Sequence, residues 1–188
     1  MIYFGHRRTK GLKQMKNDFS EIQSEIDAMQ PDLVRIRRDL HRHPETGWLE
    51  MRTTAILAKE LRALGYEIYM GRAVCKEGVR LGLPDAQVLA AHAEQALAQG
   101  APEDELTADV RAGYTGVIAI LRCGEGPTVA MRFDIDALPM TECPQDAHRP
   151  TREGFASVNP GMMHACGHDG HAAIGLGVAR ILMYCMVR

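Results

Sequence analysis

Four side chains able to ligate a metal, His164, Cys166, His168 and His171, fall within the eight positions 164–171. Imidazole nitrogen and thiolate sulfur suit borderline divalent cations, and glycines between these residues let the backbone turn tightly enough to gather them. If the segment enters extended, His164, Cys166 and His168 project to one side by the two-residue period of a strand; once a helix begins, His168 and His171 share a face. The spacing therefore predicts a site at a strand-to-helix junction. A closed structural zinc site takes its ligands in two pairs separated by a loop, and no second Cys/His pair of that kind is present. An open site completed from elsewhere in the fold fits better. A thiol mechanism at Cys166 needs a histidine brought beside it and a third orienting group, which the spacing does not specify.

Two carboxylates precede this stretch. Residues 115–122 and 128–133 are apolar runs separated by the turn chemistry of Cys123-Gly124-Glu125-Gly126-Pro127, which predicts a hairpin. Asp134 and Asp136 follow at the strand's end, two apart and so on one side, where they can meet a metal or orient its ligands. An ordinary Asp turn closing a strand is the alternative.

The elements that must position these groups are legible upstream and downstream. Phe19, Ile22, Ile26, Met29, Leu33, Ile36 and Leu40 alternate spacings of three and four, the stripe of an amphipathic helix. Pro31 predicts either a kink or two consecutive helices, and Pro44 the stop. His41 and His43 lie at that end, where they suit exposed carbonyls. A second helix is expected over 50–64 with Gly65 as its cap, then a strand through Tyr66, Ile68 and Met70. Within 71–113, Pro84-Asp85 opens a helix ending at Gly100, and Pro102-Glu103-Asp104-Glu105 opens another whose charge reads as a solvated face. From Gly170 to about Met183 the chain is apolar nearly all round, predicting a buried helix in which Gly175 and Gly177 permit close packing. Helices alternating with strands indicate an α/β layered domain.

With 188 residues, 46% hydrophobic and a net charge of −2, the chain is long enough for a sizeable core and not basic enough for a nucleic-acid surface. Its five cysteines are an odd number without framework spacing, which favours reduced thiols and a cytoplasmic setting. No run approaches the ~20 apolar residues of a membrane span, and the basic stretch 1–16, lacking a following apolar region, is expected to be a flexible extension rather than a signal peptide.

Taken together, 164–171, the run Arg132-Phe133-Asp134-Ile135-Asp136-Ala137-Leu138-Pro139 and the run Leu40-His41-Arg42-His43-Pro44-Glu45 resemble the metal-dependent aminoacylase and carboxypeptidase-like amidohydrolases, from about Asp32 to about Ala179. Glu153-Gly154-Phe155-Ala156-Ser157, Asn159 and Gly161-Met162-Met163, with the helical insertion at about 71–113, narrow the likeness to a branch acting on an aroyl-glutamate. The resemblance implies a zinc-exopeptidase-like mixed sheet flanked by helices. It implies hydrolysis of an N-acyl amino acid amide with a divalent metal, manganese or zinc, in a pair of ions. It points to Cys166 and His168 as ligands and to Asp136 as the residue that orients the site; in relatives the position of Asp134 is often a histidine ligand. Family members are longer and supply, downstream, a Glu-Glu pair whose first member is the general base, further histidine ligands and an inserted dimerisation domain. This chain is therefore expected to be the N-terminal part of the catalytic domain, incomplete at the C-terminus and inactive alone, with a second hydrolase subunit or a homodimer in the complete protein. A general N-acyl- or indole-acetyl-amino-acid hydrolase is the competing enzyme reading, and a metal- or partner-binding remnant without turnover the non-enzyme one.

Overall fold

A single helix, α1 (Phe19–Arg42), carries the first apolar stripe in the computed structural model, which describes residues 2–4 and 19–187. Pro31 lies inside α1 on an exposed face, so the carbonyl it leaves without an N–H partner can be met by water and the helix is not divided in two. Only the C-terminal half of the stripe is covered: Ile36 and Leu40 are buried, whereas Phe19 is exposed. α2 (Met51–Ala63) follows, with Gly65 at φ +89 allowing the reversal into β2 (Glu67–Met70).

The 71–113 region docks on α2. α3 (Ala86–Ala98) is capped by Asp85, whose carboxylate accepts from the Gln87 and Val88 amides. Leu89, Ala93 and Ala96 of α3 form a second core with Leu49, Met51 and Ala55. The helix expected after Pro102 is instead a 3-10 turn, Glu103–Glu105, and a separate single turn, α4 (Ala108–Arg111), capped by Thr107. Its charge is not all solvated, for Glu105 is buried and takes a two-pronged bond from Arg62.

The sheet is mixed and four-stranded, in the order β2-β3-β1-β4. β3 (Val117–Leu121) and β4 (Val129–Met131) run antiparallel to one another but are not neighbours. β1 (Ile2–Phe4), which falls in the stretch expected to be a flexible extension, lies between them, parallel to β3 and antiparallel to β4. The hairpin expectation thus failed on adjacency, because turn residues signal a change of direction and not which strands pair. The rest of that stretch lies outside the described residues.

After the one-turn α5 (Arg149–Arg152) comes α6 (His168–Val187), packed along α1. Ala172, Leu176 and Ala179 join Ile36, Leu40, Leu57, Leu61 and Leu121 in the main core, while Ile174 is exposed. A Cβ at Gly177 would stand 3.0 Å from Leu33, and one at Gly175 3.0 Å from Phe133, so the two glycines do let α6 approach its neighbours closely. Gly177→Val is expected to destabilise the chain by about 1–3 kcal/mol in urea denaturation, since the branched side chain meets Leu33 in a packed interface. An unchanged midpoint would show that this contact has room.

Candidate metal centre

Short main-chain bridges bring the three chemistry-bearing segments together. Ala137 N donates to Glu45 O at 2.7 Å, and Leu138 and Met163 exchange bonds of 2.9 and 3.1 Å. Beyond Met163 the backbone turns. Gly167, at φ +76, takes up a conformation a side chain would resist, and its carbonyl accepts from Gly170 N (2.9 Å) and His171 N (3.1 Å) in the first turn of α6.

His168 Nδ1 stands 3.0 Å from both the carboxylate and the main-chain oxygen of Asp136. A proton on Nδ1 donates there, which leaves Nε2 as the lone-pair nitrogen and fixes the ring's direction. His171 stacks on His168 with ring centroids 5.0 Å apart, and ligand atoms of Asp134, His168 and His171 all lie within 4.8 Å of one another. Asp134 is also paired with Arg132. Carboxylate, imidazole and a carboxylate-oriented second imidazole nitrogen at this separation form a donor set that fits a divalent cation.

Cys166 is an exposed free thiol in the turn before Gly167 and lies outside that group; His164, two residues earlier, is 4% exposed. The common side expected for 164, 166 and 168 is absent because Gly167 N bonds back to His164 O at 3.3 Å, so the segment is turned rather than extended. None of the five cysteines is in a disulfide.

Beside this centre is a buried network that sequence reasoning did not find. His41 Nδ1 is 2.8 Å from Asp169 and its Nε2 2.8 Å from Glu142; Arg37 Nε reaches Asp169 at 2.7 Å, and His148 Nε2 reaches Glu142 at 2.7 Å. Burial works against a charge on His41, but the two carboxylates prevail and raise its pKa; in the protonated form it donates at both nitrogens. Burial likewise opposes the charge on Asp169, yet His41 and Arg37 hold its carboxyl below the ordinary range. His41, Glu142 and His148 also converge closely enough to suggest a metal. That reading fits poorly, because one Glu142 oxygen already accepts from both rings and the other from Ser157 N. The available signal was position, as His41 follows Leu40 at the edge of the buried stripe. His43, which bonds Asp39 O, does behave as a helix-end residue. Glu45 was also missed; buried, it accepts from Arg52 N and Thr53 N at the start of α2 and from His92 of α3.

Residues 130–185 match the profile of Peptidase family M20/M25/M40. Over 158 residues the chain is 50% identical to indole-3-acetyl-aspartic acid hydrolase of Enterobacter agglomerans and 48% identical to one subunit of the p-aminobenzoyl-glutamate hydrolase of Escherichia coli, in each case covering 84% of this chain and 36% of the relative. It thus spans about a third of the length of these curated relatives. Among solved structures, the aminobenzoyl-glutamate utilization protein from Klebsiella pneumoniae superposes with a TM-score of 0.68 at 36% identity, over 87% of this chain and 35% of that one. A dinuclear metal binding peptidase from the M20 family, from Bacillus subtilis, superposes with a TM-score of 0.54 at 32% identity, over 85% of this chain and 32% of that one. The mixed sheet with flanking helices is the architecture shared with both.

Proposed function

We propose that this chain, whose residues 130–185 match peptidase family M20/M25/M40, supplies part of the centre of a metal-dependent amidohydrolase that cleaves an N-acyl amino acid, with p-aminobenzoyl-glutamate giving p-aminobenzoate and glutamate. The observation that carries this is His168 at the first turn of α6, oriented by Asp136, with Asp134 and His171 gathered beside it. Cys166, as thiolate, and His168 are the proposed metal ligands, and manganese or zinc the proposed ion, two of them in the whole protein. Such an ion, when bound, lowers the pKa of a water toward ~7 and polarises the amide carbonyl. With its proton on Nδ1, His168 donates a hydrogen bond to Asp136 and so presents Nε2. Gly167 turns the chain so that Cys166 and His168 stand on either side of one bend.

A second reading, hydrolysis of indole-3-acetyl-aspartate, is favoured by the 50% identity to the Enterobacter enzyme. Both readings share an aromatic acyl group on an acidic amino acid. The Escherichia relative is by name one subunit of its enzyme, and a second subunit or a homodimer is proposed for the whole protein here. A cytoplasmic setting is part of the same proposal. Among the described residues, no helix is long and apolar enough to cross a membrane.

In the whole protein, Asp136→Asn is expected to lower turnover about 10- to 100-fold at saturating substrate, by loosening the orientation of His168. Unchanged turnover would remove Asp136 from the account. Measuring kcat/KM for p-aminobenzoyl-glutamate against indole-3-acetyl-aspartate on the same preparation decides between the two substrates.

A further inference from the structure

Against the 163–167 turn lies an open cavity of about 590 Å³, within the range of small-molecule sites. Arg37 and Arg38 of α1 and His148 and Arg149 at the start of α5 line it, with His41 and His164 in its walls. Each guanidinium makes its ion pair through one nitrogen: Arg37 Nε to Asp169, Arg38 to Glu153 at 2.6 Å and Arg149 Nε to Glu153 at 2.6 Å. A guanidinium has five N–H donors, so donors remain on all three. His164 adds an independent sign: it is 4% exposed, and among the described residues neither ring nitrogen has a hydrogen-bond partner. A buried imidazole bonded to nothing forfeits the free energy of its lost hydration unless something completes it.

Three guanidiniums with donors to spare disfavour a metal cation as that partner and favour a planar anion, which a guanidinium fork grips through two parallel bonds. Phe155, under the guanidiniums of Arg37 and Arg38 at 5.5 and 4.6 Å, holds both in place and gives the cavity an apolar floor. Ala165 and Gly167, the neighbours of Cys166, also line the cavity, so it opens beside the candidate metal ligands. Two of the relatives act, by name, on conjugates of aspartate and glutamate. We propose that this cavity binds the carboxylate of an acidic amino acid, with Arg38 and Arg149 as its principal donors and His164 completing its bonds to the bound group. This rests on the amidohydrolase reading for the identity of the ligand, though not for the existence of the site.

The test is calorimetric titration of the 188-residue chain with glutarate, with its neutral diamide and with inorganic phosphate. All are run in the presence of a chelator, so that the metal centre does not enter. Glutarate is expected to bind, the diamide not to, and phosphate to bind more weakly than glutarate. Arg38→Gln, at a partly exposed side chain, and Arg149→Gln, at an exposed one, are each expected to weaken glutarate about tenfold. His164→Phe should also weaken it while leaving the fold intact, since no existing hydrogen bond of that ring is lost. Equal binding of glutarate and its diamide, preference for phosphate, or unaltered affinity in the two arginine variants would each overturn the proposal. Failure of the whole protein to hydrolyse any amide would sink the proposed function and leave this binding result standing.

Discussion

Supplied with manganese or zinc, the 188-residue chain alone is expected to hydrolyse p-aminobenzoyl-glutamate at least about 10²- to 10⁴-fold more slowly than a full-length relative assayed beside it. General-base catalysis needs a proton acceptor within hydrogen-bond reach of the attacking water, and its loss commonly removes a factor of that size. Among the described residues, the carboxylates around the candidate centre are already engaged. Asp134 pairs with Arg132, Asp136 with His168, and Asp169 with His41 and Arg37. Glu50, whose pKa burial pushes up to about 7, is buried against Thr115. Among the described residues, the donor set gathered within 4.8 Å also comprises only three. Metal-dependent turnover close to that of the relative would mean that a base among these residues has been misassigned.

His41→Leu is expected to cost about 3–5 kcal/mol at about pH 6, the loss that follows when one member of a buried ion network is removed and the others stay charged. Its ring is 3% exposed and separates two carboxylates, so leucine would leave Asp169 and Glu142 facing apolar surface. The pH dependence has a definite sign. Because the folded-state pKa of His41 is raised above 6.5, its contribution is complete below that value and is lost as pH rises through the folded pKa. The gap between wild type and variant, measured by urea denaturation, should therefore be widest at about pH 6 and narrow in alkaline buffer. A gap that widens with rising pH would show that His41 is neutral in the folded chain.

The helices were legible wherever a local signal set them. The periodic stripe of α1, Gly65 after α2, Asp85 before α3 and the glycine-spaced apolar run of α6 each encode a boundary or a face within a few residues. Strand order was not, because placing Ile2–Phe4 between β3 and β4 depends on pairing across more than a hundred residues. The metal motif could be read as a junction, yet the turn at Gly167 that sends His164 inward and Cys166 outward was hidden in the assumption of an extended segment. The Arg37–Asp169–His41–Glu142–His148 network joins residues far apart in the chain, each of an ordinary type in an ordinary place. No local pattern announces it.

The central claim, that the turn at 164–168 and the start of α6 hold a divalent metal, is tested most directly by metal content. The chain, loaded with manganese or zinc and desalted, is analysed by plasma mass spectrometry beside Cys166→Ser, His168→Ala and the double variant, with folding of each checked by circular dichroism. The account predicts bound metal in the wild type, a marked fall in each single variant and none above background in the double variant. Equal occupancy in the wild type and the folded double variant would contradict it.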